Sequence, residues 1–142
     1  MSAITVHQAR TIIDAVVAKS KADGMKPLTV AVVDASGALI CFQRNDGAPP
    51  LRPAIAIGKA AGAVGFGVSS RRLGEMALER PHFIDAVGKL APHGLVPVAG
   101  GVNVVDGEGR IIGAVGVSGD TSDNDEIAAL AGIDAAGLRA QG

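Results

Sequence analysis

From Thr5 to Gly24 apolar side chains return every three or four positions, at Ala9, Ile12, Ile13 and Val16, with Ser20 continuing the stripe. That period is helical, Thr5 with Gln8 three residues later reads as a capping box, and Gly24 with Pro27 supplies the stop. A helix is therefore expected from Val6 to Asp23, with His7, Asp14 and Lys21 on its face away from Ile12 and Val16. The Val-rich run Leu28–Asp34 and the run Ala38–Gln43 follow, joined by Ala35-Ser36-Gly37, and predict a β-hairpin. The stretch Asn45–Pro50 breaks the sheet, and Pro53 opens a second helix to Val64, made of Ala, Gly and Ile around one lysine, Lys59. Ser69 or Ser70 caps a third helix carrying Leu73, Met76 and Ala77, which Pro81 interrupts before a turn from His82 to Leu90.

Leu95, Val96 and Val98 read as a short strand ahead of a glycine-rich hairpin: Gly100–Val105, a turn at Asp106–Gly109, and a return over Ile111–Gly119. Glycine weakens a strand, and it often marks a place where a ligand or another backbone comes close. Gly100, Gly101, Gly116 and Gly119 are therefore expected to line a ligand site or a tight subunit contact. Ser122 with Asp125 three residues on, then Ile127, Leu130, Ala131 and Ile133, predicts a capped terminal helix. The order α-β-β-α-α-β-β-β-α lacks the regular alternation of a parallel sheet. Residues 1–142 are expected to form a single α+β domain, an antiparallel five-stranded sheet flanked by helices.

Composition narrows the partners. Hydrophobic residues make up 48% of the chain but aromatics only 2%, so the core must be aliphatic, and the shortage counts against binding single-stranded nucleic acid by base stacking. Thirteen Lys and Arg against fourteen Asp and Glu give a net charge of -1, which leaves no surplus of positive charge for a phosphate backbone. Nucleic acid is not an expected partner. The stretch Met1–Thr5 has neither the basic start nor the apolar run of a signal peptide, and the longest apolar run, Pro53–Val68, is interrupted by Lys59 and too short for a bilayer. A cytoplasmic protein without a membrane anchor is expected.

Several familiar motifs fail on their spacing. Gly107-x-Gly109 with Gly113 precedes a β-prone run instead of the helix N-terminus that holds a pyrophosphate. Gly58-Lys59 lacks the rest of a phosphate-binding loop, and Asp120, Asp123 and Asp125 lack the glycine and distal Glu of a calcium loop, so these acids read as helix caps. No nucleophile elbow surrounds Ser118. The single cysteine, Cys41, reads as a small strand hydrophobe and excludes an intrachain disulfide. His7, His82 and His93 show no metal-ligand spacing and meet only through folding or across subunits.

Taken in order, Ala31-Val-Val-Asp34-x-x-Gly37, Arg44-x-Asp46-Gly47-Ala48, the Lys59-Ala60 helix, Gly100-Gly101-Val102, and Gly113-Ala-Val-Gly116-Val-Ser118-Gly119 with Asp125 beyond resemble the GlcG/HbpS family. That family includes the C-terminal domain of the PduO adenosyltransferases, and the likeness runs over nearly the whole chain. The resemblance implies a profilin-like domain, symmetric homo-oligomers that reach octamers, and haem binding in some members. It transfers no axial ligand to a particular histidine. Where the family often has Pro after Gly-Gly-Val, this chain has Asn103, a polar amide beside the expected pocket.

Three functions stay open on the sequence. The first is non-covalent binding of haem or a related tetrapyrrole, with His7, His82, His93, Cys41 or Met76 as axial donor. The second is an enzyme or binder for a small oxo or hydroxy acid. There Arg44 would hold the carboxylate, Asp46 exchange a proton and Lys59 act as base or cation, with Asn103 and the amides around Ser118 and Gly119 steadying an oxyanion. The third is a ligand-free structural or regulatory oligomer, built through the flat small-residue surface of Ala54, Ala56, Gly58, Ala60, Ala61 and Gly62. Lys59 is expected to be buried beside Asp46 or Asp34, because an unpaired ammonium in so apolar a helix is strongly disfavoured.

Overall fold

The structure, a computed structural model, describes residues 3–142. Five helices and a five-stranded sheet follow one another as α1 (Val6–Ala22), β1 (Thr29–Asp34), β2 (Leu39–Arg44), α2 (Arg52–Phe66), α3 (Ser70–Glu79), α4 (Pro81–Gly88), β3 (Gly101–Val105), β4 (Ile111–Ser118), α5 (Ser122–Ala135) and β5 (Arg139–Ala140). The capping box of α1 forms as expected: Gln8 N–H donates to Thr5 Oγ1 and Thr5 N–H to Gln8 Oε1, both at 3.0 Å. The strands lie in the order β2-β1-β4-β3-β5, every neighbouring pair antiparallel. The α+β architecture and the antiparallel five-stranded sheet expected from the sequence are both present.

Helices α1 and α5 cover one face of the sheet, and α2 covers the other. The two faces differ in the size of their side chains. Val30, Val32, Val102, Val104, Val115 and Val117 point into a core shared with Ile12, Ile13, Val16 and Ile133 of α1 and α5. Toward α2 the sheet presents a row of cross-strand partners, Ala31, Gly116 and Gly101, on three adjacent strands. Along this row the sheet offers α2 nearly bare backbone and the helix comes close, while Val33 and Asn103 stand on the same face one row further along.

Three local expectations are corrected. Leu95–Val98 is not a strand: Pro97 cannot donate to a ladder, and the segment lies over α2 and α3 instead. Its Val96 and Leu95 fill the notches at Gly58 and Gly62, and the Pro97 carbonyl oxygen lies 2.7 Å from where a Cβ of Gly74 would stand. The fifth strand is Arg139–Ala140, which pairs with Val104 and Val105 and is too short to have a period. Pro81 ends α3 but also occupies the first turn of a further helix, α4, where its missing N–H costs nothing.

Candidate functional site

Lys59 is among the most buried side chains of the protein, 2% exposed, as the apolar surroundings of its helix require. Its partner is neither Asp46 nor Asp34. The ammonium donates to Asp125 Oδ2 at 3.1 Å and to the carbonyl of Val117 at 2.9 Å, while Asp125 Oδ1 accepts from the backbone N–H of Asp120 at 2.9 Å. The lysine belongs to α2 and the aspartate to α5, on opposite faces of the sheet. Gly100 makes the passage between them: with φ at +127° and no side chain, it leaves the space in which a Cβ would stand 2.7 Å from Lys59 Nζ. Burial lowers the pKa of Lys59 and raises that of Asp125, and the attraction between the two opposes both shifts.

In sequence Asp125 is masked by its place at the start of a helix, where an acid also serves as a cap. The cap is in fact Thr121, whose Oγ1 accepts from Asn124 N–H at 3.2 Å. Asp125 shares a stripe with the buried Ala128, Ala129, Gly132 and Ile133, so the available signal was an acid on the apolar face of a helix.

The glycines of the hairpin are small for the sake of α2. A Cβ on Gly116 would overlap the carbonyl of Ala56 and press on Ala60, and one on Gly101 would overlap the carbonyl of Lys59. Gly119 is closed in the same way by Pro27 and Leu28. The backbone that approaches Gly101 and Gly116 is therefore that of this chain's own helix, where the sequence suggested a ligand or a second subunit. Likewise the small residues Ala56, Gly58, Ala60 and Gly62 are buried within the chain, between the sheet and the segment 93–96.

Asn103 is fully buried on β3, and its Nδ2 donates to the carbonyl of Ala63 at 3.0 Å and to Gln141 Oε1 at 3.2 Å. Both donors of its amide are thus engaged in joining β3 to α2 and to the C-terminal segment, and neither is free for an oxyanion. Asp34 organises the β1–β2 turn, accepting from Ser36 N–H, Ser36 Oγ and Ala38 N–H, and these bonds lower its pKa. Arg44 and Asp46 are exposed, and among the described residues no ion pair joins either to the other or to Lys59. The triad suggested for an acid substrate is not assembled.

One of the expected site residues, Ser118, is approached by an arginine. Arg52, half-buried at the start of α2, donates from Nη1 to the hydroxyl of the fully buried Ser118 at 3.0 Å. Arg52 also borders a cavity of about 410 Å³ with Lys26, Gly119, Asp120 and Thr121.

His7 and His82 are exposed on α1 and α4. His93 is exposed as well, but it lines a cleft of about 240 Å³ between the C-terminal half of α2, the end of α4 and the segment after it. The other walls are apolar, with Phe66, Val87, Leu90 and Leu95 among them. Cys41 is half-buried against the core, and Met76 half-buried on α3. Among the described residues no three His, Cys, Asp or Glu side chains come together as a metal site.

The model of the family described as haem degrading protein HbpS-like matches residues 4–134, and the chain belongs to that family. The crystal structure of HbpS superposes with a TM-score of 0.81 at 30% identity, over 94% of this chain and 90% of that one. The structure of a PduOC:haem complex reaches a TM-score of 0.88 at 23% identity, over 99% of this chain and 100% of that one. The Klebsiella pneumoniae protein ORFY gives 0.86 at 24% identity, over 96% and 92% of the two chains. No curated protein matches the chain in sequence. Among the described residues no helix is long and apolar enough to cross a membrane.

Proposed function

We propose that this protein binds haem or a closely related tetrapyrrole non-covalently, in the cleft between α2, α4 and the segment 89–95. The observation that carries the reading is an exposed imidazole, His93, set in an otherwise apolar wall. Haem requires such a pairing, because its macrocycle gains from leaving water while its iron takes a nitrogen donor. Membership of the HbpS-like family and the fold shared with the PduOC:haem complex support it.

The chain's own contribution is shape and orientation. Gly65, with nothing where a Cβ would stand, leaves the α2 side of the cleft open, and Phe66, Val87 and Leu90 supply apolar surface. At about 240 Å³ the cleft lies below the ~300–1,000 Å³ usual for small-molecule sites, so only an edge of a macrocycle enters it. A second copy of the chain covering the projecting part would complete the site, which makes a homo-oligomer part of the proposal.

Titration with haemin, followed by the Soret band, tests the reading. Saturation at equimolar haem is expected, with His93→Ala losing the band of the ligated form and His7→Ala and His82→Ala retaining it. An unchanged spectrum and affinity in His93→Ala would overturn the assignment. Light scattering with and without haemin reports on the second copy.

A further inference from the structure

The guanidinium of Arg52 is a charge without a counter-charge. It is half-buried, it lies near enough to the ammonium of Lys59 to disfavour that charge, and among the described residues it forms no ion pair. The Lys59 ammonium is compensated by Asp125; the Arg52 guanidinium has only the neutral hydroxyl of Ser118. Of its five N–H donors one is used in that bond. Ser118 Oγ accepts it, and the hydroxyl's own proton has no acceptor among the described residues. A partly desolvated cation of this kind is costly unless an anion completes it.

The space for such an anion is present. The cavity of about 410 Å³ beside Arg52 is bordered by Lys26, Pro27, Gly47, Pro49, Gly119, Asp120 and Thr121. Its charged groups are Arg52 and Lys26 on one side of the balance and Asp120 on the other, a net of one positive charge. The Asp120 carboxylate is already engaged, accepting from Lys26 N–H at 3.0 Å and from Asn124 Nδ2 at 2.7 Å, so it is not the missing partner of Arg52. A planar fork of donors with one residual positive charge matches a planar anion of one negative charge.

We propose that Arg52 binds a small monocarboxylate in this cavity, the guanidinium taking its two oxygens while the buried Ser118 hydroxyl behind it holds Nη1 in place. The site is at the N-terminal end of α2, whereas the haem cleft is at its C-terminal half. The ten residues from Arg52 to Gly62 correspond to about 15 Å of helix. The two sites therefore stand or fall separately.

Amide chemical shifts and calorimetry, with acetate and pyruvate as probes and chloride as the control at equal ionic strength, test the proposal. Saturable shifts at Gly47, Gly119 and Thr121 are expected with the carboxylates and none with chloride. Arg52→Met should weaken binding at least about tenfold, since charge-assisted bonds are the strong ones. It leaves no acid unpaired, so the fold should survive. Arg52→Lys keeps the charge without the fork and should bind several-fold more weakly than the native chain, and it serves if the Met variant does not fold. Equal response to chloride, binding by Arg52→Met at native strength, or no saturation by either carboxylate would each overturn the site. Haemin binding is expected to be unaffected in all these variants; loss of haemin binding in Arg52→Met together with no response to free carboxylates would assign the arginine to haem and overturn the proposal.

Discussion

The Lys59 ammonium lies 3.1 Å from the Asp125 carboxylate although the helices that carry them are on opposite faces of the sheet. Each group is almost completely buried, so either one alone would be an uncompensated charge in an apolar interior. Lys59→Met and Asp125→Leu are each expected to cost about 3–5 kcal/mol, and the double variant to recover much of the loss. Urea denaturation of the four proteins in a mutant cycle checks this. Purely additive losses would show that the pair is not a unit.

Gly116→Val should fail for a steric reason that involves no ligand. The new side chain meets the backbone of Ala56 and Ala60, which cannot yield as the end of a side chain could, so a loss above about 3 kcal/mol or outright misfolding is expected. Gly65→Ala is the contrasting case. Nothing stands where its Cβ would go, and replacing glycine within a helix should raise stability by about 0.5–1 kcal/mol. Thermal unfolding of both variants without added ligand distinguishes helix packing from a ligand wall.

Asp120 has its pKa lowered to about 2, chiefly by the backbone N–H of Lys26 and by the amide of Asn124. A carboxyl whose pKa is depressed in the folded chain stabilises the fold above the unfolded value of 3.8, and that stability is lost as pH falls toward about 2. The native chain should therefore exceed Asp120→Ala in stability at neutral pH, and the gap should close between about pH 4 and 2. Denaturation midpoints across that range provide the measurement. A gap independent of pH would mean that the carboxylate's charge contributes nothing.

Removing residues 139–142 should do more than shorten the chain. Arg139 and Ala140 cover the edge of β3, and Gln141 donates from Nε2 to the carbonyl of Gly67 at 3.1 Å while accepting from Asn103. Truncation exposes a strand edge and leaves a buried amide one partner short, so lower stability and a greater tendency to aggregate are expected. Light scattering during a thermal ramp compares the two chains.

Periodicity made most of this fold legible. The stripe of α1, its capping box and the two hairpins are local patterns, and each formed where its residues indicated; α5 formed as well, but it buries Ala128, Ala129, Gly132 and Ile133 and leaves Ile127 and Leu130 of the expected stripe exposed. Leu95–Val98 misled because a short apolar run has the same appearance over a helix as within a sheet. Arg139–Ala140 escaped because two residues carry no period. The site was less legible, since partnership between side chains is decided by the fold: Lys59 announced that it needed an acid but could not say which. The hairpin glycines signalled close approach correctly, yet spacing alone does not distinguish a ligand's surface from a helix of the same chain. Arg52 gave no signal at all, because its lack of an ion pair exists only in three dimensions.

The aperture at Gly100 has a kinetic consequence. Through it a single lysine side chain connects α2 to α5, two elements that otherwise make no contact across the sheet. Lys59 sits in the middle of α2 and is shielded from fraying of that helix, whereas Asp125 stands in the first turn of α5. Exchange of the ammonium's protons with solvent would therefore report how often the start of α5 lifts from the sheet, a local opening that other probes of the core would not register.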